Sequence, residues 1–506
     1  MGFPGTANLL IGAERGRENS WRPERTSLRS AYLSIDLKET VFMPPHNLPV
    51  FSPSGLTRFL VRALFLCLLT SWTFPVRAEV KALTVLHTND LHARFDPQPD
   101  GSGGIANLAA YIQSVRKQRP GQVLLLDAGD NTLGTSLCVL FDGEPIYDLM
   151  NRLGYNLRTL GNHEFDYGVE KIARFRSFAH FPVVSANALH NGQLIADDAT
   201  TVLNVNGLRV GVLGLTIPFS QKDPTVTFQN LHDTAARYLP DLRTRSQILV
   251  ALTHIGVEND RTLAREFPDL DFIIGGHSHT EMDKPVEEGK TWIVQTGAYG
   301  KRVGQLDLTF DTETNRIVSR AWKIVPLPSP SQTPDAAILQ RLQEWEAKIP
   351  KEVSAPIGFN PRPLTLAEVK AEIERVWKET CRTDFGLQNV GATRAALPEG
   401  PIQERHIWDC MPFDNTLVIL QLTADQVAEE RGQTRFSEQK PLYSVVTNNY
   451  FADQLIKKYR LPETQVKRLD LSWRKPVLDY IKANGGLLAP ETEAVPAGMT
   501  KTPGKP

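Results

Sequence analysis

An α/β fold with strands buried on both faces is predicted for the body of this chain, on three observations. Apolar runs rich in Val, Ile and Leu recur along it (KALTVLH, QVLLLDAGD, LRVGVLGLT, QILVALTH, DFIIGGHSH) without the in-and-out alternation of a half-exposed sheet. Helix-like stretches at 104–119, 144–153, 169–180 and 233–246 separate them. Polar residues gather directly after the apolar runs, at the carboxyl ends of the strands, where open α/β sheets place their ligands.

In chain order, residues 1–42 read as an extension upstream of a truer start at Met43, and 43–78 as a secretory signal region. Arg58 and Arg62 precede an apolar stretch of about a dozen residues, and Val76-Arg77-Ala78 forms a small-x-small cleavage site. The stretch is shorter than the about 20 apolar residues a membrane span requires. A secreted, periplasmic chain with no membrane span after cleavage is therefore expected. The α/β body covers 79–325. PLPSPSQTPDAA then breaks the rhythm, and 326–350 reads as a linker with a short amphipathic helix at 337–349. Residues 351–488 mix helix and strand, and the Pro-, Thr- and Lys-rich segment 489–506 reads as a disordered tail.

Composition excludes some classes of function. The 506 residues are 41% hydrophobic and 22% charged with net charge −1, an ordinary globular balance. That leaves no basic footprint for a nucleic-acid polymer. The four cysteines (Cys67, Cys138, Cys381, Cys410) show no CxxC spacing and no scaffold density.

The polar clusters define a candidate site. Asp90 and His92 follow the first apolar run, Asp130 the second, Asn162 and His163 the run 157–160, His254 the run QILVALT, and His277 and His279 the run DFII. Any one of these reads as a surface His or a capping Asp. Five clusters on five strand ends, spread over about 190 residues, converge on one crevice. Asp, Asn and His donors without thiolate suit borderline divalent ions such as Zn²⁺, Mn²⁺, Fe²⁺ or Co²⁺. Seven side chains are too many for one tetrahedral ion, and two ions need a carboxylate bridge. Such a pair polarises a phosphoryl oxygen and supplies hydroxide near neutral pH. The leaving alkoxide still needs a proton, so one imidazole outside the metal shell is expected as general acid.

The motifs DLH, GD, GNHEFD, the His of LTHIG and GHSH, in that order, resemble the calcineurin-like metallophosphoesterases, and HTNDLHARFDP with GNHEFDYG resembles their 5'-nucleotidase and UDP-sugar hydrolase branch. The resemblance covers about residues 82–310. It implies a four-layer αββα metallophosphoesterase sandwich followed by a smaller α+β nucleotide-binding C-terminal domain, with two divalent metal ions. By the family's pattern Asp90, His92, Asp130 and His279 would ligate one metal, and Asp130, Asn162, His254 and His277 the other. Asp130 would bridge, His163 would be the catalytic histidine, and Asp166 its carboxylate partner. Glu164 takes no role by this pattern and reads as a loop carboxylate helping the turn.

A thinner resemblance to the nucleotide-binding C-terminal domain runs from Phe385 and again over SVVTNNYFAD. It implies that Asn389 and Arg394 contact nucleoside or phosphate, and that Phe413 and Tyr450 stack on a base. The chain departs from the family where YFADQLIKKYR replaces a GGDG-like turn, and where Arg362 is the nearest counterpart of an expected arginine. The resemblance thus implies hydrolysis of nucleoside 5'-monophosphates. UDP-sugars or 2',3'-cyclic nucleotides are close alternatives; a thiosulfohydrolase and a non-catalytic nucleotide-binding protein are more distant ones.

Overall fold

The computed structural model describes residues 79–488 except 99, 220–222, 331 and 433–439. The signal region, Cys67 and the 489–506 tail therefore lie outside the described residues. Two six-stranded sheets stand face to face. In the first the order is Arg316–Pro326, Arg302–Asp311, Val80–Thr88, Val123–Asp127, Leu157–Thr159 and Val183–Val184. Its first three strands pair antiparallel and the rest parallel. In the second the order is Val286–Glu288, Thr291–Val294, Phe272–Ile274, Ile248–His254, Leu208–Thr216 and Thr200–Val205, with parallel pairing through its centre.

The apolar runs explain this layering. Ile248–His254 is buried at all seven positions, because one face packs on the opposite sheet and the other on helices. Leu83, Val85, Leu124, Leu126, Val250, Leu252 and Phe272 fill the space between the sheets. Helices Ile105–Gln118 and Glu144–Leu153 cover the outer face of the first sheet. Helices Leu231–Arg245 and Val257–Glu266 cover the outer face of the second. The result is the four-layer αββα sandwich.

The helix expected over 337–349 spans Ala336–Glu346, and it is not a free spacer. Ile338, Leu342 and Trp345 enter the core of the sandwich beside the 105–118 and 144–153 helices, and Trp345 Nε1–H donates to Asp148 at 2.8 Å. The second part is a four-stranded sheet, ordered Phe385–Gly386, Tyr443–Asn448, Thr416–Leu422, Val466–Ser472, packed by helices Leu366–Cys381 and Lys475–Asn484. Trp377 and Trp473, both fully buried, sit at its centre. At YFADQLIKKYR, where the sequence departs from the family's GGDG-like turn, Asn448 caps the helix Asn449–Tyr459, accepting from Phe451 N–H at 2.9 Å. Cys138, Cys381 and Cys410 are free thiols. Among the described residues no helix is long and apolar enough to cross a membrane.

Candidate active site

The strand ends deliver their polar residues to one crevice. Main-chain bonds lock the loops together: Asp90 N–H donates to Gly129 O, and His92 N–H to Asp130 O, both at 2.9 Å. Two glycines allow this closeness. A Cβ on Gly161 would overlap the Asp130 carboxylate, and one on Gly276 would stand 2.7 Å from His254 Nδ1. Asp90, His92, Asp130, His277 and His279 all adopt positive φ, between 48° and 77°. Strain of this kind persists only where the surroundings over-determine it, and it concentrates at functional sites. Gly161→Ala is accordingly expected to lower bound divalent metal to about half the wild-type content or less, because the Asp130 carboxylate is pushed aside. Metal analysis of the purified variant checks this.

Two donor groups form within the crevice, Asp90 with His92 and His279, and Asp130 with His254 and His277, the ligand atoms of each lying within 4.8 Å of one another. Asp90, Asp130, His92 and His254 are buried to 2% exposure or less. Backbone carbonyls orient two of the imidazoles. His254 Nδ1 lies 2.7 Å from Ala128 O and His92 Nδ1 lies 3.2 Å from Leu133 O, so each ring directs Nε2 inward. His254 Nε2 then stands 3.0 Å from Asp130 Oδ2, and His92 Nε2 faces His279 Nε2 at 3.2 Å. Asp90 Oδ1 lies 3.2 Å from His279 Nε2 and 3.9 Å from both His92 and His254, at the junction of the groups.

The electrostatics call for positive charge here. Burial opposes protonation of His254, but Asp130 and Asp90 outweigh it and raise the ring to about 10. Burial, reinforced by His254, lowers His277 to about 4. Two carboxylates, converging imidazole nitrogens and no thiolate fit a pair of borderline divalent cations.

Asn162 and His163 are adjacent but point differently. Asn162 Oδ1 lies 2.8 Å from His277 Nδ1, inside the second group. His163 bonds Asp166 Oδ2 through Nδ1 at 2.6 Å and turns Nε2 toward Arg394 Nη2 at 3.4 Å. Its main-chain N–H donates to Asp130 Oδ1 at 2.9 Å. Burial disfavours the imidazolium, yet Asp166 and Asp130 together hold the pKa of His163 above its usual value.

Of the residues expected to hold substrate, Arg394 and Phe413 reach this centre. The Phe413 ring lies 5.6 Å from that of His163, and the Arg394 guanidinium sits 5.2 Å over Phe413. Asn389 accepts from Asn448 Nδ2 at 3.0 Å, and Tyr450 stands 57% exposed. Among the described residues, the ring neighbours of Phe413 are His163 and Trp473. Arg362 is exposed and pairs with Glu368 at 2.8 Å, which leaves Arg394 as the arginine at the centre.

Residues 83–281 match the family model of the calcineurin-like phosphoesterases, and residues 364–430 that of the 5'-nucleotidase C-terminal domain. A 5'-nucleotidase of Diplobatis ommata is 33% identical over 413 residues, which cover 68% of this chain and 70% of that protein. The chain belongs to the 5'-nucleotidase family. A 5'-nucleotidase of Mus musculus is also 33% identical, over 56% of this chain and 55% of its own length, so the chain spans little more than half of that relative. The crystal structure of a 5'-nucleotidase precursor from Thermus thermophilus superposes with a TM-score of 0.68 at 26% identity, covering 80% of this chain and 97% of the other.

Family motifs do not account for everything around the centre of this 5'-nucleotidase family member. Glu164, fully buried, is more than a turn carboxylate. It accepts from the N–H groups of Gly161, Asp130 and Asn131 at 2.7, 3.1 and 2.8 Å and pairs with the fully buried Arg158 at 2.8 Å. Glu164 thus ties the Asp130 loop to the Asn162 loop. Asn89 donates to Asp90 Oδ2 and to Gly297 O, each at 2.7 Å, aiming that carboxylate. A chain of hydrogen bonds from the buried Asp260 through the buried Gln295 to Ser278 and Gly276 O holds the GHSH loop, and burial pushes the Asp260 carboxyl up to about 7. Tyr299, whose N–H donates to Asp90 O, presents its hydroxyl 3.2 Å from Arg394. A carboxylate inside GNHEFD is the sequence signal for Glu164; for Tyr299 the sequence carries none.

Proposed function

We propose that this chain is an exported phosphohydrolase that splits nucleoside 5'-monophosphates into nucleoside and phosphate. The observation that carries the reading is the division of one loop. Asn162 turns into the second donor group, while its neighbour His163 stays outside both groups and is braced by Asp166. Asp90, His92, Asp130 and His279 would hold one divalent ion, and Asp130, Asn162, His254 and His277 the other. Zn²⁺, Mn²⁺, Fe²⁺ and Co²⁺ all suit these donors. Two such cations, when bound, polarise phosphoryl oxygens and lower the pKa of water toward neutrality.

The protein's own residues do the rest. His163 Nε2 gives its proton to the departing ribose oxygen, and Asp166 keeps the proton-bearing ring aimed. Arg394 meets the phosphoryl group where negative charge grows. Phe413 and Tyr450 offer aromatic faces to the base, a contact that contributes about 1–3 kcal/mol and tolerates different bases. Asn389, held by Asn448, lies on the same loop as Arg394 and meets the nucleoside. Export rests on the Arg58 to Ala78 pattern.

Phosphate release from AMP, UDP-glucose and 2',3'-cyclic AMP by the purified chain with Mn²⁺ tests the reading. AMP is expected to give the highest kcat/KM. Release from none of them, or a kcat/KM for UDP-glucose about tenfold above that for AMP, would sink it.

A further inference from the structure

We infer that Asp409 is a positioning residue: through the helix Glu404–Cys410 it sets Arg394 against His163. The inference rests on the reading of Arg394 as the residue that meets the phosphoryl group.

The main chain of Arg394 is held from both sides. Its N–H donates to Cys410 O at 2.8 Å, and its carbonyl accepts from Arg94 Nη2 at 2.5 Å. Cys410 ends the 404–410 helix, so wherever that helix sits, Arg394 follows. Asp409, the preceding residue, anchors the helix to the metallophosphoesterase sandwich. Its Oδ1 accepts from Ser136 N–H at 2.6 Å, an anionic acceptor on a main-chain donor, which is the stronger kind of hydrogen bond.

The anchoring point belongs to the framework of the metal loops. Ser136 opens the short helix Ser136–Leu140, capped by Thr135, whose hydroxyl donates to Ala93 O at 3.2 Å. Leu133 O, in the same segment, orients the His92 ring. Arg94 belongs to the same turn. Asp409 therefore grips the 133–136 segment, while Arg94, in the turn of His92, holds the Arg394 carbonyl. The other tether from this helix, Arg405 to Glu346 at 2.5 Å, is about one-third exposed on both sides and contributes less. The geometry couples seating of the helix to delivery of the Arg394 guanidinium, whose Nη1 then meets Tyr299 and whose Nη2 meets His163.

The test is a double-mutant cycle on the full chain with Mn²⁺, reading AMP hydrolysis, bound metal and thermal midpoint. Asp409→Ala is expected to lower kcat/KM about tenfold, the loss appropriate to one charge-assisted hydrogen bond, with metal content unchanged. Asp409→Asn keeps an acceptor for Ser136 N–H and is expected to stay within about threefold of wild type. In an Arg394→Ala background, Asp409→Ala should add less than about twofold, because its effect runs through Arg394. If Asp409→Ala does not fold, Ser136→Pro removes the same hydrogen bond at a first helical position that tolerates proline, and should give the same tenfold loss. Wild-type activity in Asp409→Ala or Ser136→Pro, or losses from Asp409→Ala and Arg394→Ala that simply multiply, would overturn the inference. A wild-type chain that hydrolyses p-nitrophenyl phosphate but not AMP would remove the nucleotide reading instead, and the same cycle run on p-nitrophenyl phosphate would still decide the role of Asp409.

Discussion

Replacing His163 with alanine is expected to slow AMP hydrolysis by about 10²- to 10⁴-fold, the range that one positioned general acid contributes. The purified variant should retain wild-type metal content. Both halves of the expectation come from the same geometry. Neither donor group includes His163, and its bond to a proposed ligand runs from its main-chain N–H to Asp130, which alanine preserves. Its imidazole faces Asp166 on one side and the Arg394 guanidinium on the other, so truncation removes the proposed proton donor and none of the proposed metal ligands. Asn162→Ala should do the reverse. With Asn162 Oδ1 gone from its place beside His277, metal content falls first and turnover falls with it. Metal analysis beside initial rates for the two variants separates the roles; a His163→Ala enzyme at full speed, or one stripped of metal, would show them misassigned.

Glu164→Ala is expected to be the most damaging single substitution to stability outside the hydrophobic cores. The carboxylate holds three main-chain N–H groups and is paired with Arg158, both side chains being fully inaccessible to solvent. Removing one partner of a buried pair leaves the other charge uncompensated, at a loss of about 3–5 kcal/mol. Asp127 does not rescue Arg158: it lies 3.9 Å away and is already engaged by Thr88, Asn131 and Gly129. Glu164→Gln keeps an acceptor and should lose less. Urea unfolding of the two variants, followed through the shift in midpoint at constant slope, measures both effects. An alanine variant as stable as wild type would mean that the Asp130 and Asn162 loops hold their form without this tie.

Much of the scaffold is legible because each level of the sequence agrees with the next. QILVALTH yields the strand Ile248–His254 since seven consecutive residues bury on a sheet covered on both faces. The 144–153 helix is bounded as expected because Gly143 and Gly154 both take left-handed backbone conformations at its ends. The donor residues can be read in order because their side-chain types are chemically narrow and each follows an apolar run. What stays hidden depends on contacts distant in sequence. Asn89 finds its partner at Gly297, and Asp409 finds its own at Ser136; no local pattern marks such a meeting. Resemblance makes Tyr450 one wall of a base sandwich with Phe413. Phe413 packs on Trp473 and His163 while Tyr450 stands exposed on the first turn of a helix, and no local pattern marks where either ring comes to lie. The missing glycine turn is visible in the sequence, but the asparagine-capped helix that replaces it is not.

Two divalent ions, held by seven side chains on the ends of strands from two sheets, are proposed to make this chain a phosphohydrolase. Metal content per chain, measured on the same preparation that is assayed for phosphate release from AMP before and after chelation, tests it most directly. Two divalent ions per chain are expected, with release abolished by chelator and restored by Mn²⁺, Zn²⁺, Co²⁺ or Fe²⁺. A metal-free chain that releases phosphate at the full rate, or a chain carrying two ions that releases none from AMP or the other phosphoesters, would contradict it.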